Sequence, residues 1–255
     1  MMILPDRREV VLGGLLTIGW ISCGSSPCRA QMDTPTGCYI PNDQRQYFVD
    51  RISTVHSFSN GSEQIEPRSG NANLDRALAQ SLGMLSRTFD VLPGFAYYRD
   101  DDRPNARALS EPLLQRTDGT VLFGLGLLRM LLQRPQNPDA SVVAVCAHEY
   151  GHIVSYKNGM ISQLDPTRTN PFRAEQFADY VAGFFAGVRK RRNPTFPAVA
   201  FATTQRSFGG STRGSHGTGV ERGEAVERGF LDAYQRQLSP DQGIQAGFAW
   251  TMARA

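Results

Sequence analysis

Five consecutive residues, His148-Glu149-Tyr150-Gly151-His152, have the spacing of a metal-binding helix. Side chains four residues apart lie on one face of an α-helix, so both imidazoles can bind one metal ion. Glu149 follows the first histidine and can hold and deprotonate a water molecule on that ion. This pattern is the helical half of a zinc hydrolase site. The alternative interpretation is a pair of exposed histidines on a surface helix.

The third ligand has to come from elsewhere in the chain, because a catalytic zinc ion commonly has three protein ligands and one open position. Glu175 is the best candidate, since it lies on the next predicted helix. Asp179 follows four residues later on the same face, where it can accept the outer N–H of a ligating histidine. The alternative is an exposed acidic pair unrelated to metal. Asp165 is disfavoured as a ligand because its loop contains proline.

His216 is the third histidine considered for the site. It lies in a glycine-rich stretch before a helix that Thr218 and Glu221 begin as a capping box. Two functions fit this position: donating a hydrogen bond to the substrate or transition state, or assisting the metal ligands. An ordinary surface histidine is the alternative.

The elements around these residues predict an α+β fold. Apolar periodicity predicts a helix over 74–89, and β-rich runs predict strands at 94–99 and 120–123. Asn137-Pro138 and Asn170-Pro171 each have the pattern of a helix start, with Asn at the cap and Pro at the first helical position. Further helices are predicted over 124–132, after Thr218 and over 241–252. The sheet therefore precedes the helix that contains His148.

The N-terminus predicts export. An apolar run from Val10 to Ser22 follows Arg7-Arg8, which suits a signal peptide over 1–30, including the twin-arginine type. A lipoprotein signal with a lipid anchor at Cys23 and an uncleaved N-terminal anchor are alternatives. Residues 31–71 are predicted to be irregular, and 72–255 to form the metallopeptidase domain. The mature protein is then expected in the periplasm, at the cell envelope or outside the cell, without an integral membrane span.

Charge and cysteines add constraints. The net charge of +3 gives no electrostatic case for nucleic acid. The run Arg189–Arg192 falls where a helix should end, and cations there complement the helix dipole; an anion-binding patch is the alternative. Cys38 and Cys146 could pair in an oxidising compartment. Cys146, however, is expected to be a small buried apolar residue.

Three segments together are similar to a known group of proteins. They are His-Glu-Tyr-Gly-His-Ile-Val from His148, Arg173–Gly183, and Ser215–Arg222, and they resemble the neutral zinc metallopeptidases of the YpfJ-like group, which are gluzincin-type zincins. The resemblance implies one zinc ion bound by His148, His152 and Glu175, with Glu149 as general base and Asp179 as support. It also favours a functional His216.

A second resemblance involves Asn105-Ala-Arg-Ala, Asp118–Gly124 and Leu127-Leu128, which are similar to HtpX-like and CAAX-protease zinc endopeptidases. It implies that an extended peptide substrate adds to the edge of strand 120–123. This chain lacks the transmembrane helices of those membrane proteases, so membrane-embedded substrates are not implied.

The combined expectation is an exported, mostly helical zincin-like metallopeptidase with a small β-sheet, acting on peptide or protein substrates. A zinc amidase acting on cell-wall peptides is one alternative. A catalytically silent zinc-binding module that holds a partner protein is another. Glu149 argues against the silent module, because metal binding needs the histidines but not a base.

Overall fold

The structure, a computed structural model, describes residues 51–61, 69–100, 103–212, 214 and 216–254. The predicted signal peptide, the candidate lipid anchor Cys23 and the candidate disulfide partner Cys38 lie outside these residues. Cys146 is buried and its thiol is free within the described part of the chain, as expected of a small core residue.

The described residues form an α+β fold, which confirms the predicted class. Four strands, β1 to β4, precede the helix that contains His148; they are His56–Ser57, Gly94–Tyr98, Ala106–Leu109 and Thr120–Gly124. Eight helices, α1 to α8, are found in the same described ranges: Ala72–Phe89, Leu125–Leu132, Pro138–Lys157, Ile161–Leu164, Phe172–Arg192, Val199–Phe208, Gly219–Tyr234 and Pro240–Met252. None of these helices is both long and apolar enough to cross a bilayer.

The sheet is mixed, and its strands are ordered β1-β2-β4-β3. β4 runs parallel to β2 and antiparallel to β3, so it hydrogen-bonds on both sides. The prediction that a peptide adds to the edge of strand 120–123 is therefore wrong, because that strand has no free edge. In the described part of the sheet, β3 is the edge strand on this side. Sequence analysis did not predict β3 as a strand, because four residues are too few to show a convincing alternation of apolar and polar side chains.

The first strand comes from the segment predicted to be an irregular lead-in. His56 and Ser57 pair with Phe95 and Gly94 of β2, and Phe58 is buried in the main hydrophobic core. This part of the chain therefore contributes to the domain.

Helix α3 lies at the centre of the fold and is buried along most of its length. It packs against the sheet through β3 and β4, and against α5 on another side. Tyr156 of α3 donates a hydrogen bond to the carbonyl of Ala108, which ties the helix to β3. The sheet and α5 thus both have fixed positions relative to the two histidines.

Two glycines allow the central helices to approach closely. A Cβ on Gly151 of α3 would lie 2.6 Å from the Cα of Ala178 in α5. A Cβ on Gly183 of α5 would lie 1.9 Å from the carbonyl oxygen of Val226 in α7. Side chains at these positions would force the helices apart, so α3, α5 and α7 owe their spacing to these small residues.

The predicted helix starts are largely confirmed, with two corrections. Pro138 begins α3 as expected, but Asn137 has a φ of 48° and its side chain caps nothing. Helix α5 begins at Phe172, with Pro171 at the cap position rather than inside the helix. The Thr218 capping box is present, and α5 ends at Arg192 within the basic run, as predicted.

Asp100 stabilises the start of α2. Its buried carboxylate accepts hydrogen bonds from the backbone N–H groups of Gly126 and Leu127, which have no acceptors inside the helix. A Cβ on Gly124 would collide with this carboxylate, at 1.9 Å from Oδ2. The contact fixes the position of α2 and therefore of Leu127, which lines a cleft beside His148.

Candidate metal site and cleft

His148, His152 and Glu175 form one buried group whose ligand atoms lie within 4.8 Å of one another. The two Nε2 atoms are 3.2 Å apart. Glu175 Oε2 is 3.2 Å from His148 Nε2, and Glu175 Oε1 is 3.6 Å from His152 Nε2. The two ligands predicted on α3 and the one predicted on α5 therefore converge at one point.

These separations fit a tetrahedral metal ion. Zinc binds histidine nitrogen at about 2.0–2.1 Å and carboxylate oxygen at about 2.0–2.2 Å, so the edges of its tetrahedron measure roughly 3.3–3.5 Å. The distances between the ligand atoms here lie close to that range. Since three buried donors point at one position, this group can hold a metal ion.

Asp179 orients the first histidine, in the position that its spacing from Glu175 predicted. Its Oδ1 lies 2.7 Å from His148 Nδ1. The ionised carboxylate can only accept, so Nδ1–H donates and the lone pair of Nε2 faces the metal position. A carboxylate behind a ligating histidine in this way fixes the ring and raises its basicity.

Arg222 is the main residue that sequence analysis missed. It is buried on α7, and its Nε and Nη2 donate to the two carboxylate oxygens of Asp179 at 2.8 and 2.9 Å. Nη2 also donates to Gln205 Oε1 at 2.8 Å, and Gln205 Nε2 donates to the carbonyl of Ala144 in α3. A chain of hydrogen bonds thus runs from Ala144 in α3 through α6 and α7 to Asp179 and His148.

The capping box at Thr218 was the available signal for Arg222. It places Arg222 in the first turn of α7, directly after Glu221. An arginine there is unfavourable for the helix dipole and therefore suggests a specific partner. Which carboxylate it meets depends on the crossing of α5 and α7, and sequence spacing does not define that crossing.

The charges around the site favour a bound cation. Burial alone would lower the pKa of His148, but the facing carboxylates of Asp179 and Glu175 raise it to about 10. The pKa of His152 is lowered to about 4, chiefly by burial. Burial opposes ionisation of Glu175, yet the neighbouring histidines hold its pKa well below the usual value. Two buried carboxylates that stay ionised attract a proton here, and the same field attracts a dication.

Glu149 lies beside the ligands rather than among them. Its side chain is buried, and burial raises its pKa to about 7, although the charges of His148, Arg107 and Arg222 act in the opposite direction. A carboxyl group with a pKa near neutrality can both take up and release a proton at physiological pH.

A cleft of about 300 Å³ opens onto the site. Its wall combines the metal-site residues with the start of β3, helix α2 and the end of α6. The lining residues are Pro104, Asn105, Ala106, Leu127, Val145, His148, Glu149, Gln205, Phe208, His216 and Arg222. The cleft therefore brings Glu149 and His216 to the same space as one of the ligands.

His216 approaches the site from the open side. Its Nε2 lies 3.7 Å from Glu175 Oε1, and its side chain is 37% exposed. It is not a member of the buried ligand group. Its partial exposure and its place on the cleft wall allow this side chain to meet a molecule bound in the cleft.

Comparison with protein-family models, with curated proteins and with solved structures found no match to this chain.

The ligand assignment predicts the metal content of variants. Purified protein should contain about one zinc ion per chain, and Glu175→Ala should lose most of it, because two histidines alone bind weakly. Metal analysis after dialysis against a weak chelator measures this. Glu227→Ala, which removes an exposed carboxylate on α7, should keep the metal content of the wild type. Full metal retention by Glu175→Ala would exclude Glu175 as a ligand.

The Arg222 contact predicts a coupled effect on stability. Arg222→Met leaves the Asp179 carboxylate buried without its main cation, which should cost about 3–5 kcal/mol of unfolding free energy. The double variant Arg222→Met/Asp179→Asn should recover part of this loss, because no buried charge remains unpaired. Urea denaturation of the metal-free proteins measures both. Additive losses in the double variant would contradict the proposed coupling.

Proposed function

We propose that this chain is a zinc-dependent peptidase that uses Glu149 as its general base. The observation that supports this most directly is the buried Glu149 carboxyl beside three convergent donors, at the wall of a cleft. Two imidazole nitrogens and one carboxylate form a donor set typical of catalytic zinc sites. Bound zinc would polarise the scissile carbonyl and acidify a water molecule.

Glu149 performs the proton transfers in the proposed reaction. As a carboxylate it takes the proton from the attacking water, and as a carboxylic acid it delivers that proton to the amine that leaves. Its buried position at the wall of the cleft, next to His148, suits both steps. A protein that only bound metal would need the ligands but would gain nothing from a buried base, so the site supports hydrolysis over a silent binding module.

His216 and Arg222 complete the proposed active site. When substrate fills the cleft, His216 donates a hydrogen bond to the carbonyl oxygen as negative charge develops there. Arg222, through Asp179, keeps the ring of His148 in one orientation. The cleft-facing position of His216 supports the first function, and the bidentate Arg222–Asp179 contact supports the second.

The proposed substrate is an extended peptide. Within the described part of the sheet, β3 pairs with β4 and is the strand at that edge, and Asn105 and Ala106, at its start, line the cleft. A peptide that adds to the outer edge of β3 would gain main-chain hydrogen bonds and pass in front of Glu149. This replaces strand 120–123, which is internal, as the docking strand.

The base assignment predicts that Glu149→Gln keeps the metal and loses turnover. The amide has nearly the same shape but cannot take a proton, so the rate should fall by roughly 10²–10⁴-fold. Digestion of a peptide library, analysed by mass spectrometry, compares wild type, Glu149→Gln and the control Glu227→Gln. The control should cleave like the wild type.

Three outcomes of this digestion would contradict part of the proposal. Cleavage by Glu149→Gln at the wild-type rate would exclude Glu149 as the base. Zinc-loaded wild type that cleaves no peptide in the library would exclude a general peptidase. Activity confined to cell-wall peptides would identify the amidase instead.

Export is part of the proposal and rests on the sequence of residues 1–30. N-terminal sequencing of the protein from its native cells should give a first residue near Gln31, because cleavage is expected after Ala30. A lipid-modified Cys23 at the N-terminus would establish the anchored form. A chain that still begins at Met1 or Met2 would contradict a cleaved signal peptide.

A further inference from the structure

Gln176 follows the candidate ligand Glu175 on α5 and has an unusual environment. Its side chain is fully buried. Both polar atoms of its amide, Oε1 and Nε2, lack a hydrogen-bond partner within the described ranges of the chain. Buried amides are nearly always hydrogen-bonded, because an unbonded one loses its interactions with water without replacement. A residue retained at this cost calls for an explanation.

The Gln176 amide lies under the loop that contains His216. A Cβ placed on Gly217 would be 3.2 Å from Gln176 Nε2 and 3.0 Å from a ring carbon of Phe172. Gly217 has a φ of 84°, which favours glycine, and it directly follows His216. The backbone of the loop is therefore within a small movement of the Gln176 amide.

The described residues of the loop over 209–218 are joined by an isolated β-bridge between Gly210 and Thr218 and by a few backbone hydrogen bonds. Gly210 N donates to the carbonyl of Gly217 at 3.3 Å, and Gly217 N donates to the carbonyl of Gly214 at 3.2 Å; both bonds are long. Glycines occupy 209, 210, 214 and 217; a Cβ on Gly209 would collide with the backbone of Gly219, whereas one on Gly214 would meet nothing within 4 Å. His216 lies outside the helices, unlike the other catalytic candidate, Glu149, which is part of α3.

We propose that Gln176 is a positioning residue for His216. Its amide hydrogen-bonds to the backbone at Gly217 when substrate occupies the cleft, and this contact holds the His216 ring over Glu175 and toward the substrate carbonyl. The inference rests on the proposed function, since it assigns His216 to the substrate. It explains why a polar side chain occupies a fully buried position where an apolar one would pack without loss.

The first test is Gln176→Met, which keeps the length of the side chain and removes both polar atoms. If Gln176 only fills space, the variant should be as stable as the wild type or more stable, and equally active. Under the proposal, kcat falls about tenfold while KM stays within roughly twofold. The reason is that the reacting groups lose their alignment, whereas the contacts that bind the substrate remain. Unchanged kcat would overturn the proposal.

Thr251→Val is the matched control. Thr251 is fully buried on α8, its hydroxyl also lacks a hydrogen-bond partner within the described residues, and no residue of α8 lines the cleft. Removing this polar atom should leave kcat at the wild-type value. If Gln176→Met fails to fold, by circular dichroism, Gln176→Leu replaces it with the same expectation.

A double-mutant cycle with His216→Ala tests the coupling. If Gln176 acts through His216, adding Gln176→Met to His216→Ala should cause no further loss of kcat. A tenfold loss in both backgrounds would mean that Gln176 acts independently of His216, which would overturn the proposal.

Hydrogen exchange separates this inference from the proposed function. In the zinc-loaded protein with a non-cleavable peptide analogue bound, amides of residues 209–218 should exchange faster in Gln176→Met than in the wild type or Thr251→Val. If the wild type binds the analogue but cleaves no peptide, the proposed function fails, while the comparison of exchange with the analogue bound still tests the loop contact. Equal exchange in all three proteins would overturn the positioning of the loop.

Discussion

The candidate site depends on the close approach of α3 and α5. Gly151 and Ala178 meet at a distance that would exclude a larger side chain. Gly151 lies between the two histidines along α3, and Ala178 lies one turn after Glu175 along α5. A wider spacing would leave the three donors too far apart to share one ion. The packing of two helices therefore decides whether the residues form a site at all.

The network behind the ligands places strong charges in the core. Asp179 interacts with His148 on one side and with Arg222 on the other, and Arg222 reaches Gln205 on a third helix. Such a network stabilises only the arrangement in which every member is paired, because an unpaired buried charge is costly. It therefore favours a single geometry for His148.

Sequence reasoning succeeded where chemistry has a short, fixed spacing. The intervals 148–152 and 175–179 each place two side chains on one helical face, and the structure brings three of these four to one point with Asp179 behind them. Strand β4 and helices α1 and α3 followed from periodicity and start signals. The short strand β3 and helix α6 did not, since neither has a strong pattern of its own.

The sequence by itself determined the donor types, their spacing within each helix and the α+β class, because these depend on local periodicity and side-chain chemistry. Only the tertiary structure decided that Arg222 meets Asp179, that Gln176 lies beneath the His216 loop, and that β3 rather than β4 is at the edge of the described sheet. Each of these is a contact or pairing between segments distant along the chain. The geometry of such a contact arises from the packing of the whole core. The spacing of residues within one helix does not determine that packing.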